Sequence, residues 1–264
     1  MSHKHPSTAV ITGASSGIGA VYADRLAKRG YDLVLVARNG ARLEKLAQRI
    51  QQESGRKVEI LIADLTQSAD IAKVAQRVAA ADVGTLINNA GSAMATPLLD
   101  SDPGNAEAMI QLNVIALMHL SHAAAKAFVT RGGGTIINIS SVVAVAHELL
   151  NGSYSGTKAF VLNFSRSLHN ELHEKGIRLQ AVLPGATATE LWGNAGVSLD
   201  ELPPEWVMST EDMVDAALTG LDAGEVVTIP ALPEIADWEA YDTARQALLP
   251  NLSHRTPAAR YLKR

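Results

Sequence analysis

The chain has 264 residues, 47% of them apolar and 19% charged. That composition fits one sizeable globular α/β domain and excludes disorder as the main state. A net charge of −4 gives no general pull toward nucleic acid or an anionic membrane surface. With no cysteine, disulfides, thiolate zinc sites, iron–sulfur ligation and a cysteine nucleophile all drop out. The first eight residues are polar and lack an apolar stretch, so no signal peptide is expected. A cytoplasmic, soluble protein is expected.

Short β-type runs alternate with longer helical stretches. Ala9-Val10-Ile11 precedes a glycine-rich turn and a helix to about Arg29. Leu33-Val34-Leu35-Val36 is the next strand, followed by a helix over 41–52, a strand over 58–62 and a helix over 71–80. Thr85-Leu86-Ile87-Asn88 is the fourth strand. A long helix over 107–131 follows, then the strand Thr135-Ile136-Ile137-Asn138-Ile139. A helix over 154–175, a strand over 178–183 and a last strand over 226–229 complete the pattern. The uncharged run 108–125 is interrupted by Gln111, Asn113, His119 and His122 and reads as a buried helix, not a membrane span.

Seven apolar strands separated mostly by helices predict a doubly wound, mainly parallel sheet with helices on both faces: a single Rossmann-type domain over 1–264. Two proline-containing stretches resist the pattern. One, over 186–208, is expected to be a substrate lid, and the other, over 230–264, a C-terminal extension with a helix around 235–248. Ser209 is placed to cap the helix that restarts regular structure between them.

Thr12-Gly13-Ala14-Ser15-Ser16-Gly17-Ile18-Gly19 runs from the first strand into a helix. Glycines at a strand–helix turn let backbone approach a pyrophosphate at the helix N-terminus. The G-x-x-x-G-x-G spacing differs from G-x-G-x-x-G, and by itself it also fits a flexible connection. No Lys-Ser/Thr follows, which excludes a Walker-type loop. At the end of the second strand stand Ala37, Arg38 and Asn39, with Arg42 a turn later and no carboxylate. A carboxylate there would bind the ribose hydroxyls of NAD; a guanidinium suits a 2′-phosphate and favours NADP(H), with NAD(H) and a solvated surface arginine as alternatives.

Tyr154 and Lys158 are one helical turn apart, and Ser141 lies just beyond the fifth strand. A phenol is a poor acid near neutral pH unless a neighbouring ammonium stabilises its anion, which Lys158 is expected to do. The Ser141 hydroxyl is placed to polarise a substrate carbonyl. Taken alone, a Tyr-x-x-x-Lys pair also fits a solvated helix face.

The turn 12–19, Asn88-Asn89-Ala90-Gly91, Asn113, Ser141, Tyr154, Lys158 and Pro184-Gly185 occur together and in order. In this the chain resembles the short-chain dehydrogenase/reductase family, in its branch of roughly 250 residues, over about 7–230. The resemblance implies that Gly13, Ser15, Ser16, Gly17, Ile18 and Gly19 line the pyrophosphate turn and that Arg38 takes the 2′-phosphate. It implies Asp64 and Leu65 beside the adenine, and Asn89, Ala90 and Gly91 against the adenine ribose. Pro184, Gly185, Thr187 and Thr189 would meet the nicotinamide end, where Tyr154 and Lys158 also touch cofactor. Asn113 would be the fourth catalytic residue, holding a water between Lys158 and solvent.

The sequence departs from the common pattern at Ser155-Gly156-Thr157 and at His147-Glu148. His3 and His5 form no metal site with anything nearby, and the chemistry needs no bound metal. The expected activity is hydride transfer between NADP(H) and a small-molecule carbonyl or secondary alcohol, with Tyr154 as general acid/base. Leu191, Trp192, Leu199, Leu202 and Trp206, with Val142, Val143 and Leu149, offer a mainly apolar substrate surface. Sugars, steroids, fatty-acyl ketones and xenobiotic carbonyls all remain open. The alternatives are a non-catalytic nucleotide-binding regulatory protein, the same fold using NAD(H), and epimerisation through a transient ketone. The resemblance also implies a homodimer or homotetramer.

Overall fold

A computed structural model describes residues 8–262. His3 and His5 lie outside the described residues. Seven parallel strands form one sheet in the order β3-β2-β1-β4-β5-β6-β7. They are β1 (Thr8–Thr12), β2 (Asp32–Ala37), β3 (Val58–Ile62), β4 (Val83–Asn88), β5 (Gly134–Ile139), β6 (Ile177–Val182) and β7 (Val227–Thr228). Every residue of β1 and β4 is buried, which is why neither strand alternates polar with apolar residues and their middles, Ala9-Val10-Ile11 and Leu86-Ile87, are apolar on both faces.

Alternation along each strand divides the core between the two faces. Ile11, Leu33, Leu35 and Ile137 pack against α1 (Gly17–Lys28), α2 (Gly40–Ser54) and α8 (Thr210–Ala223). Their neighbours Val10, Val34, Val36 and Ile136 pack on the other side against α3 (Ser68–Val78) and α5 (Leu117–Thr130). Strand order reverses between β1 and β4, and the crevice at the carboxyl ends of these strands is where ligands bind in such sheets.

The helix expected over 107–131 is three segments: α4 (Pro103–Ile110), a π-helical turn over Gln111–Ala116 and α5. By length and hydropathy alone the whole stretch Pro103–Thr130 qualifies as a membrane span. In the fold, Met109, Asn113, Ala116, Leu117, Leu120, Ser121, Ala124 and Phe128 form its buried face. These positions keep one helical period from Met109 to Phe128 through the π turn, so Met109 and Ala116 lie on the buried face and Ile110 beside it is 41% exposed.

After β5 the chain makes two short turns and enters α6 (Gly152–Leu172), capped by the Asn151 side-chain Oδ1 accepting from Ser153 N at 2.7 Å. Between β6 and α8 runs the segment over 186–208, containing α7 (Glu190–Asn194). Its ends are pinned together: Met208 N donates to Ala186 O, and Ala188 N donates to Met208 O, both at 2.9 Å. Ser209 caps α8, accepting from Asp212 N at 3.0 Å.

The chain divides into two compact units, Met1–Pro230 and Ala231–Arg264. The second unit contains α9 (Ile235–Gln246), in which no described residue is buried.

Candidate active site

Thr12 and Asn89 build the floor of the crevice. Thr12 Oγ1 accepts from the backbone N–H of Asn89 and of Ala90, both at 3.0 Å. Asn89 Nδ2 donates back to Thr12 O at 2.9 Å and Gly13 O at 3.2 Å. The end of β4 is thus sewn to the first turn, which Gly13 (φ +65°) and Gly17 (φ +52°) carry through the left-handed region that L side chains avoid. No acidic residue lies in the first turn of α1, and Ser16 makes no side-chain cap bond. The helix therefore presents its first N–H groups and the positive end of its dipole to an anion.

A cleft of about 380 Å³ runs along this edge. Its walls include Gly13, Ser15, Ser16, Gly17, Ile18, Arg38, Asp64, Leu65, Asn89, Ala90, Gly91, Ser141, Tyr154, Lys158, Pro184, Gly185, Thr187 and Thr189. Two expected site residues stand behind that wall. Gly19 is fully packed: a Cβ there would lie 2.3 Å from Gly13 O and 2.6 Å from Asn89 Nδ2. Its part is to bring α1 against the turn, and it does not face the cleft. Asn113 is buried in the π turn behind Gly91.

Asn113 has committed its side chain to protein. Oδ1 accepts from Ser92 N at 2.9 Å, while Nδ2 donates to Ser92 O at 2.9 Å and to Thr157 Oγ1 at 3.1 Å. Thr157 Oγ1 in turn donates to Tyr154 O at 2.8 Å. Asn113 therefore ties the loop that follows β4 to the start of α6, on which Tyr154 and Lys158 stand.

Lys158 Nζ donates to Ile139 O at 3.0 Å and lies 5.7 Å from the centroid of the Tyr154 ring. Burial pulls the Lys158 ammonium down to about 8. Burial also pushes the Tyr154 phenol up to about 12, and its hydrogen bond to Ser141 offsets only part of that. The net shift of the phenol is upward, so burial outweighs any lowering by the neighbouring ammonium. The cation stands over the ring face and spends a proton on the Ile139 carbonyl, and desolvation acts on both groups.

At the other end of the cleft Asp64 accepts from Thr66 N at 3.0 Å and Thr66 Oγ1 at 2.8 Å. These bonds, led by the backbone one, hold its carboxyl below the ordinary range, with the positive charge of Arg38 contributing. Arg42 and Glu190 also line the cleft and form an ion pair at 2.7 Å. Sequence reasoning missed Glu190, as well as Asn39, Thr66, Ser92 and Leu112 on the walls. Of these only Asn39 left a local signal, as the residue capping α2 through Arg42 N. Leu191 and Trp192 reach the cleft as expected, with the Trp192 indole N–H held by Thr187 O at 2.9 Å. Leu149 and Trp206 are exposed, at 63% and 65%, and His147 and Glu148 form a solvent-facing pair.

The profile of the short chain dehydrogenase family matches residues 7–198. A solved short-chain dehydrogenase from Sphingobium yanoikuyae in complex with NADPH is 50% identical, with a TM-score of 0.94 over 97% of this chain and 99% of that one. The bulky-bulky ketone specific alcohol dehydrogenase from Comamonas testosteroni is 43% identical, with a TM-score of 0.90 over the same shares. Human 17-beta-hydroxysteroid dehydrogenase type 3 is 36% identical over 187 residues, 69% of this chain; the chain spans only 60% of that relative's length. With its glycine turn, Ser141, Tyr154 and Lys158 gathered along one crevice at the strand ends and Asn113 buried behind it, this chain belongs to the short chain dehydrogenase family of oxidoreductases.

Proposed function

We propose that this protein interconverts ketones and secondary alcohols carrying bulky apolar substituents, using NADP(H). The observation that carries the reading is that Ser141, Tyr154 and Lys158 stand in the same cleft as the glycine turn and Arg38. The turn fits a dinucleotide: its glycines leave no side chain between backbone and ligand, and the N-terminus of α1 complements a diphosphate. Arg38 ends β2 with no carboxylate beside it in sequence, which favours a 2′-phosphate over bare ribose hydroxyls. The similarity to an NADPH complex supports the same choice.

The nicotinamide, when bound, supplies or accepts the hydride. The chain's own residues manage the oxygen. The Tyr154 phenol, pushed up to about 12 by burial, is protonated at neutral pH and is the group placed to give a proton to a carbonyl oxygen. Ser141, beside the phenol, donates a second hydrogen bond to that oxygen as charge develops on it. Lys158, its ammonium lowered to about 8 by burial, stands 5.7 Å from the centre of the Tyr154 ring as the nearby cation that favours the phenolate left when the proton is given up. Asn113 fixes the geometry through Thr157.

The substrate class follows from what surrounds the chemistry. Leu191 and Trp192 line the cleft, and Val143 packs against Tyr154. Exposed Leu149 and Trp206 belong to the segments that follow β5 and β6, at the same sheet edge. The similar proteins named for bulky-bulky ketones and for a steroid support large apolar flanks. We further propose a homodimer or homotetramer through α5 and α6, where the stacked pair Phe160–Phe164 is only partly covered. A screen of aryl ketones with NADPH tests the reading: turnover that Tyr154→Phe abolishes supports it, and turnover unaffected by Tyr154→Phe contradicts it.

A further inference from the structure

Thr189 and Glu190, consecutive residues at the start of α7, touch two different parts of the cofactor cleft. A Cβ placed on Gly17 would stand 3.1 Å from Thr189 Cγ2, so the threonine lies against the diphosphate turn. Glu190 Oε2 accepts from Arg42 Nη1 at 2.7 Å, a contact spanning 148 residues of sequence. The segment that carries both is held at its base by the paired bonds between Ala186, Ala188 and Met208. It forms a strap across the cleft, and Arg42–Glu190 is its outer fastening.

The charges are laid out in pairs. Arg38 acts on Asp64, and Arg42 holds Glu190. A 2′-phosphate entering between them would meet two arginines, each already beside a carboxylate. The Arg42–Glu190 pair is about half exposed on both sides (48% and 60%), so it is a weak, solvent-screened contact. A phosphate dianion offers a guanidinium more charge and more acceptor oxygens than one carboxylate. It would also repel Glu190, since both would lie on the same guanidinium.

We propose that Glu190 is a specificity-determining residue: its carboxylate competes with the 2′-phosphate of the dinucleotide for Arg42, moderating NADP(H) affinity and linking 2′-phosphate binding to release of the 186–208 strap. This rests on the NADP(H) reading above. A dinucleotide without the phosphate leaves the fastening in place.

The test is a titration of the full chain with NADPH and, separately, NADH. It compares the wild type, Glu190→Gln, Arg42→Gln and the double variant. Both side chains are solvent-exposed, so the fold should tolerate the changes. Glu190→Gln is expected to tighten NADPH by about three- to tenfold and to move NADH by less than about twofold. In the Arg42→Gln background the same substitution is expected to have no effect on NADPH. Weaker or unchanged NADPH binding in Glu190→Gln, or an equal change for NADH, overturns the proposal while a wild-type preference for NADPH stands. Wild-type binding of NADH as tight as NADPH overturns the cofactor reading and this inference with it.

Discussion

Asn113 Nδ2 and Thr157 Oγ1 are 3.1 Å apart, joining the π turn to the helix that carries Tyr154 and Lys158. Both residues are buried, so replacing the threonine hydroxyl by a methyl leaves one amide proton without that acceptor. Thr157→Val is expected to cost about 1–3 kcal/mol of stability. It should also lower kcat while leaving dinucleotide affinity nearly unchanged, because Tyr154 is displaced and the glycine turn is not. Thr157→Ser should restore kcat. Denaturant melts, cofactor titration and steady-state rates check this, and failure of serine to rescue would remove the hydroxyl from the account.

The proton-donor role of Tyr154 makes a sharper demand. Tyr154→Phe keeps the ring packed against Met109 and Val143 but removes the only proton at that position. Turnover should fall by about 10²–10⁴-fold with NADPH affinity retained. Rapid-mixing kinetics with a fluorescence titration separate the two quantities.

Burial of Lys158 has a consequence for stability against pH. Its ammonium falls from 10.5 to about 8 on folding. Between those values the unfolded chain holds a proton that the native chain has released, so stability contributed by this group rises with pH from about 8 to 10.5. Tyr154 works the other way, being raised from 10.0 to about 12, so its native state keeps the proton longer and stability declines above pH 10. Lys158→Met should abolish the rise. Urea melts of wild type and variant from pH 7 to 10 give the comparison: the stability difference, wild type minus variant, should grow with pH.

Gly19 tests the packing of the turn. With Gly13 O only 2.3 Å from where its Cβ would be, Gly19→Ala must push α1 away from the crevice floor. A loss of about 1–3 kcal/mol is expected, together with weaker dinucleotide binding. Thermal unfolding with and without NADPH measures both.

The strands were legible because a sheet covered on both faces makes each of them a short apolar run, as in Leu33-Val34-Leu35-Val36. The edge strand β3 carries the solvent-exposed Glu59 and Ile62 and still kept the pattern. The glycine turn, Ser141, Tyr154 and Lys158 were legible as spaced motifs placed next to strand ends. The π turn over Gln111–Ala116 was not, since Leu112, Val114 and Ile115 satisfy a helical period and a π period alike until the partners of Asn113 are known. Glu190 was invisible for a different reason: only the folded chain brings it to Arg42, and nothing local marks an exposed glutamate as a fastening. The state of Lys158 also depends on burial, which the Tyr-x-x-x-Lys spacing does not encode.

The central claim, hydride delivery to a bulky ketone with Tyr154 supplying the proton, is tested most directly by isotope transfer. NADPH deuterated at the transferable nicotinamide position is mixed with an aryl ketone and the protein, and the alcohol is analysed by mass spectrometry. The account predicts one deuterium on the carbinol carbon with wild type and almost no alcohol with Tyr154→Phe. Alcohol without deuterium, or labelled alcohol formed equally well by Tyr154→Phe, would contradict it.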